Sequence, residues 1–291
     1  MLLRSNLLRR AAKTGAVTLC ATLALTLSLT AAAKRPIKKL SYDPSAPSVD
    51  LFEGIDGGSL ESTVVMKGPF EGTVYLENKT DKPLTVKLPK AVAAVHVLKQ
   101  GFGGGGPGGG AGGGGMGGMG GGQGQTGGGG MGGMGGGGMG GGGMGMGGGG
   151  GGFFSIPPEK VVQVPLTTVC MNHGKPDPKP KMTYKLVPIE SYTQDPVLQQ
   201  LVTMVGTGKL DRSAAQAAVW HVTDNMSWEE LAAKKIRHVG GVPPEPYFSS
   251  AQLASARQIF VQAQAKARED AEEGQEAAPA KVNNRRPEKK I

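Results

Sequence analysis

Residues 161–170 read Val-Val-Gln-Val-Pro-Leu-Thr-Thr-Val-Cys, a run in which β-branched side chains predominate. Branched side chains favour strands because they pack well against neighbours on a pleated surface. The run follows a glycine-rich tract at 101–152, and other strand-forming runs lie before the tract, at 59–100, and after it, at 182–187. Strand-forming sequence on both sides predicts that the tract is a loop inserted into one β-rich body, and not a linker between two domains.

The tract itself contains 39 of the 51 glycines and 7 of the 13 methionines. So few side chains cannot bury enough apolar area to offset the entropy of ordering, and the sequence therefore predicts a disordered loop. Closing a loop of this length costs only about 3.5 kcal/mol, which two neighbouring strands can tolerate. The methionines leave three interpretations open: a plain spacer, thioether ligands for Cu(I), or a sink for oxidants. Their irregular spacing favours the spacer.

Before the tract, apolar and polar residues alternate in two short runs at 74–77 and 84–88, and the turn-forming sequence Asn-Lys-Thr-Asp-Lys-Pro lies between them at 78–83. The alternation and the turn predict a β-hairpin with one apolar face. A further run at 63–67 and the runs after the tract supply the additional strands that a stable sandwich needs. We therefore predict an antiparallel, Ig-like β-sandwich.

After residue 190 the hydrophobic period becomes that of helices. Four helices are predicted to begin at capping residues: Asp195, Ser213, Ser227 and Ser250. Ser227 forms a capping-box pattern with Glu230, and that helix is predicted to reach Arg237. The last helix is predicted to end near Arg268. The fold class predicted from these patterns is α+β, with a β-sandwich half followed by a small helical half.

The first 33 residues combine four basic residues, an uncharged apolar run and a final Ala-Ala-Ala, which is the pattern of a cleavable signal peptide. An uncleaved membrane anchor is the alternative. We predict export to the periplasm, cell envelope or extracellular space, with no stable membrane span after cleavage. The complete division of the chain is a signal peptide at 1–33, a flexible lead-in at 34–58, the first part of the β half at 59–100, the disordered insertion at 101–152, the second part of the β half at 153–190, the helical half at 191–269 and a charged tail at 270–291.

Charge and motifs argue against several function classes. After cleavage the chain carries 28 basic and 23 acidic residues, a formal charge of +5, and no basic stripe is interleaved with aromatic residues. A basic balance alone does not indicate nucleic-acid binding, so we expect no nucleic-acid partner. The sequence also lacks a phosphate-binding loop, a Ser/His/Asp motif and a redox pair of cysteines. We therefore expect no catalytic activity and no cofactor.

Cys170 is the single cysteine that remains after signal cleavage, and it lies where a strand-forming run meets a turn rich in glycine and proline. A buried, inert thiol is the simplest interpretation. Alternatively, Cys170 and His173 begin a metal site completed by His221 and His238, since such ligands suit zinc or copper. A third interpretation makes Cys170 a nucleophile, with His221 as its base and Asp224 orienting that base.

Residues 214–220 read Ala-Ala-Gln-Ala-Ala-Val-Trp. This run resembles the Gln-x-Ala-x-Trp helix of secreted bacterial thioester domains, and the resemblance covers about 166–225. In those domains a cysteine near a strand end forms an internal thioester with the glutamine. The resemblance implies that Cys170 is the thiol and Gln216 the acyl partner, and that the bond acylates an amine or hydroxyl on a target surface. An ordinary packed helix, with Gln216 exposed and Trp220 in the core, is the alternative.

Four features taken together are similar to signal-peptide proteins of bacterial envelopes that have no known activity. They are the segment at 77–84, the glycine and methionine tract, the segment at 170–178 and the segment at 220–236. Two hypotheses follow, of which we predict the first and keep the second as the alternative. The first is a non-catalytic structural or interaction protein of the envelope, with an unidentified protein or cell-surface partner. The second is a covalent adhesion module that uses a Cys170–Gln216 thioester.

Overall fold

The computed structural model describes residues 35–98, 124–131, 152–238 and 240–276, with side chains described to 273. The predicted signal peptide at 1–33 and most of the glycine tract lie outside these residues. The strands are β1 Ser48–Asp50, β2 Leu60–Met66, β3 Glu71–Asn78, β4 Leu84–Lys87, β5 Val92–His96, β6 Gly127–Gly130, β7 Phe153–Ile156, β8 Val161–Cys170, β9 Tyr184–Pro188, β10 Lys235–Ile236 and β11 Glu245–Pro246. The helices are α1 Leu51–Asp56, α2 Ile189–Tyr192, α3 Pro196–Gly206, α4 Arg212–Thr223, α5 Trp228–Ala233 and α6 Ser250–Glu276.

Six antiparallel strands close into a barrel in the order β2-β3-β8-β6-β5-β9. The barrel closes where β9, already paired with β5, also pairs with β2 at Tyr184 and Val64. This closed barrel contradicts the predicted Ig-like sandwich. The alternation of apolar residues indicates which face of a strand is buried, but it is the same for a sheet that faces a second sheet and for one that curls onto itself.

The predicted hairpin between 74–77 and 84–88 is also wrong. β3 pairs with β2 and β8 in the barrel, whereas β4 pairs with β1 and β7 in a separate three-stranded sheet. The buried side chain of Asn78 explains the change of direction, because its Nδ2 donates to the carbonyl oxygens of Lys82 (2.7 Å) and Ile156 (3.0 Å). These hydrogen bonds connect the turn to the end of β7, and the chain leaves the barrel at this point.

Part of the glycine tract is an ordered barrel strand. β6 consists of four glycines that pair with β5 on one side and with β8 on the other, and Met131 after them is buried in the barrel core. The prediction of disorder therefore does not hold for 124–131. A Cβ on Gly129 would overlap the carbonyl oxygen of Thr167, and one on Gly130 would lie 2.9 Å from the Cα of Gly206. Glycine is required here because neighbouring backbone occupies the space of a side chain.

The helices α2 to α6 pack on the outside of the barrel around a second apolar core, whereas α1 packs against the first core. α4 is the most buried of them, with all seven residues from Ala214 to Trp220 buried. Two of the four predicted caps are present: Asp195 accepts from the backbone N–H groups of Val197 and Leu198, and Ser227 forms its capping box with Glu230. The last helix is capped by Ser249 and not by Ser250, since the Ser249 hydroxyl accepts from the backbone N–H of Gln252 at 3.1 Å. α4 is capped by Asp211 and not by Ser213, and α5 ends at Ala233, short of the predicted Arg237.

The last helix, α6, extends to Glu276, well beyond the predicted end near Arg268 and into the segment expected to be a charged tail. The rest of that segment lies outside the described residues. Within the described part of the chain, no helix combines the length and the apolar character that crossing a bilayer requires.

Candidate functional site

The structure brings Cys170 and Gln216 into direct contact, although 46 positions separate them in the sequence. The Oε1 of Gln216 accepts from the backbone N–H of Cys170 at 2.8 Å, and its Nε2 donates to the backbone carbonyl of the same residue at 2.7 Å. Cys170 is 0% exposed and Gln216 1% exposed. Gln216 is therefore a buried contact residue, and the alternative of an exposed glutamine on an ordinary helix is wrong.

The contact forms because β8 is longer than the strand beside it. The backbone N–H of Thr168 donates to the carbonyl of Phe70, so the polar backbone groups of Thr168 and Cys170 face the β3 side of the strand. β3 begins only at Glu71, which leaves Cys170 without a backbone partner on that side. The amide of Gln216 takes the place of the missing peptide group and satisfies both the N–H and the C=O.

Three residues spaced four apart, two on α4 and the third at its C-cap, contact the end of β8 and the turn that follows it. Gln216 holds Cys170, the Trp220 ring packs edge-on against His173 with centroids 4.7 Å apart, and the carboxylate of Asp224 accepts from the backbone N–H of His173 at 3.0 and 3.1 Å. Residues four apart lie on the same helix face, so one face of α4 fixes the whole segment 170–173.

Cys170 carries a thiol that is shielded from solvent. Its Sγ lies 4.0 Å from the carbonyl oxygen of Pro69, which also accepts from the hydroxyl of Thr168. Burial, with a smaller effect from the charge of Asp177, raises the pKa of the Cys170 thiol to about 12. The thiol is therefore neutral at physiological pH, which is the opposite of the activated thiolate that a cysteine nucleophile of the Cys–His type needs.

The side chain of Lys234 lies beside this helix face. It is surrounded by the rings of His173, Trp220 and Tyr247, which are called the ring box below. The Nζ of Lys234 is 2.8 Å from the Nε2 of His173, 5.3 Å from the centroid of the Trp220 ring and 4.9 Å from that of Tyr247. Burial lowers the pKa of Lys234, and the charge of Asp177 opposes that effect. Burial and the charge of Lys234 lower the pKa of His173, while Asp224 acts in the other direction. Both bases are thus biased toward their neutral forms.

On the other side of Cys170, the residues that precede β6 form a second polar group. Gln125 is 3% exposed, its Nε2 donates to the carboxylate of Asp177 at 2.8 Å, and its backbone carbonyl accepts from the Tyr184 hydroxyl at 3.2 Å. The backbone N–H of Thr126 donates to the side chain of Asn172 at 3.0 Å. These bonds fix the start of the glycine strand against the turn that follows Cys170.

The other arrangements considered for Cys170 are not assembled. No group of three or more His, Cys, Asp or Glu side chains suited to a metal ion occurs in the described parts of the chain. His173 contacts Lys234, while His221 bonds the carbonyl of Met226 through Nδ1 and stacks on Trp228 with ring centroids 4.2 Å apart. His238 lies 3.3 Å from a carboxylate oxygen of Glu245. The proposed metal ligands therefore have separate partners.

The arrangement of Cys170 as nucleophile, His221 as base and Asp224 as orienting carboxylate is not formed either, because His221 and Asp224 have other partners. Asp224, assigned to orient His221, instead holds the backbone of His173 and accepts from the hydroxyl of Thr223. His221 lies in the last turn of α4, where a basic group interacts favourably with the helix dipole.

Sequence reasoning missed Lys234, Tyr247 and the pairing role of Asp224 with His173. Lys234 and Tyr247 flank the two strands of a short ribbon, β10 and β11, which the periodicity of the sequence assigned to a helix and a loop. A usable signal was the pair Pro243-Pro244 with Gly240-Gly241, because these residues interrupt a helix and permit a reversal of the chain. Comparisons with protein-family models, with curated proteins and with solved structures gave no match to this chain.

Proposed function

We propose that the protein is an exported envelope module that attaches covalently to a target through an internal thioester between Cys170 and Gln216. The observation that carries the proposal is the contact between these two residues, which lie in separate elements and were both nominated by the resemblance of 166–225 to thioester domains. Two hydrogen bonds hold the side-chain amide of Gln216 against the residue that bears the thiol. Burial of both residues excludes the water that would hydrolyse a thioester.

The chemistry needs no reactant from outside the chain to form the bond. The Sγ of Cys170 attacks the Cδ of Gln216, the C–N bond of the amide breaks, and the nitrogen leaves as ammonia with the proton that the neutral thiol supplies. The product is lighter than the encoded chain by one ammonia. An amine on a target then attacks the same carbon, the C–S bond breaks, the thiol regains a proton, and the target is joined to residue 216 through an amide.

A non-covalent role for the pair is the second candidate, and one observation favours it. The Gln216 amide already has a partner for its oxygen and for its nitrogen, and both partners are backbone atoms of Cys170. In this case Gln216 is a structural clamp between barrel and helices, and the protein is a non-catalytic structural or interaction protein of the envelope.

The intact mass of the mature protein separates the two candidates. The thioester predicts a native protein one ammonia lighter than its sequence, a gain of one methylamine on residue 216 after treatment with that amine, and one thiol released at the same time. A mass equal to that of the plain sequence, with an alkylatable Cys170 in the unfolded chain, would contradict the thioester and leave the clamp.

Two variants sharpen this comparison. Cys170→Ala removes the thiol but keeps both backbone partners of Gln216, whereas Gln216→Ala removes the amide from both roles. If the pair is a thioester, both variants lose methylamine uptake and attachment. If it is a clamp, Cys170→Ala keeps the function and Gln216→Ala alone destabilises the fold, because two buried backbone groups then lack partners, at about 1–3 kcal/mol each.

A further inference from the structure

The ring box around Lys234 is built by elements that meet only in the folded protein. α4 supplies Trp220, the turn after β8 supplies His173, and the ribbon of β10 and β11 supplies Tyr247. The Trp220 and Tyr247 rings are 5.7 Å apart between centroids, and the Lys234 Nζ lies over both. Rings that face a cation in this way bind ammonium groups through the electrostatic attraction of their π faces.

Lys234 is partly buried, and its ammonium group faces aromatic rings. Among the described residues no ion pair of Lys234 with a carboxylate is recorded, and the one hydrogen-bond partner of its Nζ is the Nε2 of His173. The charged groups nearest in effect are Asp177, which favours the ammonium form of Lys234, and Asp224, which faces His173. The box therefore holds an amine through rings and an imidazole nitrogen, without a fixed counter-charge.

An unused hydrogen-bond donor lies beside the box. The indole Nε1 of Trp220 is buried and has no partner in the described part of the molecule, although Trp220 is only 4% exposed. A buried N–H without a partner costs free energy, and such a group calls for a structural explanation, of which a bound molecule is one. An oxygen atom of a molecule that carries an amine into the box can accept this bond.

We propose that the box of His173, Trp220 and Tyr247 is a binding site for a primary amine from a partner molecule, and that Lys234 fills this site as a built-in competitor. The proposal rests on the proposed function in one respect: Trp220 lies one helical turn from Gln216 on the same face of α4, so the box is one turn along the helix from the acyl group that an amine would attack. An outside amine has to displace Lys234 first.

Displacement needs only the side chain of Lys234 to move, because Tyr247, which follows β11, has to stay in place as a wall of the box. β10 and β11 share only two residue pairs, and all four of their residues are exposed. Because the chain beside Lys234 is exposed, its side chain can turn into solvent while the ribbon and the barrel stay in place. Lys234 therefore occupies the site while no amine from a partner is present.

Lys234→Met, with Lys235→Met as the matched control, tests the competition. Lys235 is the exposed next residue on the same ribbon and is not part of the box. We expect Lys234→Met to speed methylamine incorporation at Gln216 about three- to tenfold, the range of a cation–π contact at a partly buried site, and Lys235→Met to match the wild type. Equal rates for the two variants would overturn the competition.

A binding measurement that does not involve the thioester separates this proposal from the proposed function. In Cys170→Ala combined with Lys234→Met, methylammonium chloride is expected to shift the indole N–H resonance of Trp220 to saturation, and sodium chloride is not. The chain has two tryptophans, so Trp228→Phe assigns the signal. A saturating shift in this variant, together with a wild-type protein whose mass shows no loss of ammonia, would uphold the amine site and refute the thioester. A folded double variant without the shift would refute the amine site.

Discussion

Replacing Gly129 with alanine tests whether the glycine strand closes the barrel. Gly129 lies within β6 opposite Thr168 of β8. A Cβ at this position would overlap the carbonyl oxygen of Thr167 and would lie 2.9 Å from the Cα of Thr168. Both atoms belong to the backbone of β8, so no change of side-chain rotamer can relieve the overlap. The strand has to move away from β8.

The size of the effect follows from what the movement breaks. Overpacking that forces backbone shifts costs about 1–3 kcal/mol. Moving β6 also disrupts its pairing with β8 and exposes Met131, whose complete burial contributes about 1.5–3 kcal/mol. The conformational entropy regained by the released residues offsets part of this loss. We expect Gly129→Ala to lower the free energy of unfolding by about 3 kcal/mol, and the Tm by about 6–12 °C.

Urea and thermal unfolding followed by circular dichroism measure this change. Gly68→Ala is the matched control, because no heavy atom lies within 4 Å of the new Cβ at that position. The control is expected to change the free energy of unfolding by less than about 1 kcal/mol. If the two variants unfold at the same midpoint, β6 does not lie against β8 in this register, and the steric argument is refuted.

Two further predictions concern polar groups. Asn78→Ala removes a buried amide that donates to the carbonyls of Lys82 and Ile156, and is expected to cost about 2–4 kcal/mol in urea unfolding, whereas Lys79→Ala next to it is expected to change little. An equal effect of the two would contradict the role given to Asn78. For His173, whose pKa is lowered mainly by burial, the unfolded chain takes up a proton more readily than the folded one, so stability is expected to fall as the pH drops below about 6.5. His173→Gln is expected to flatten the Tm profile between about pH 5 and 7, and an unchanged profile would show that His173 does not titrate on unfolding.

Helix caps and the residues of the Cys170–Gln216 contact were accessible from the sequence for a physical reason. Asp195 and Ser227 accept hydrogen bonds from backbone groups two or three positions away, so their capping role can be inferred from the neighbouring sequence alone. The pair Cys170 and Gln216 was nominated by resemblance, and the structure accounts for the contact through the length of β8 relative to β3.

The barrel and the glycine strand were not accessible in the same way. Glycine has no side chain, so β6 shows no alternation that could indicate a strand, and its position is set by atoms of Thr167 and Gly206 that lie far away in sequence. Closure of the barrel depends on β9 pairing on both of its edges, which is a long-range property. The box around Lys234 was missed because three separate elements contribute to it.

The contact between Gly130 and Gly206 has a consequence for the position of Gln216 relative to Cys170. A Cβ on either glycine would come within 3 Å of the other residue's Cα, so α3 rests on β6 backbone against backbone. α3 packs against α4, which carries Gln216. The distance between β6 and α3 is thus limited by the hydrogen atoms on the Cα atoms of the two glycines, and a methyl group on either one would increase it. The position of Gln216 relative to Cys170 can therefore be changed from a contact that has no functional group and touches neither residue.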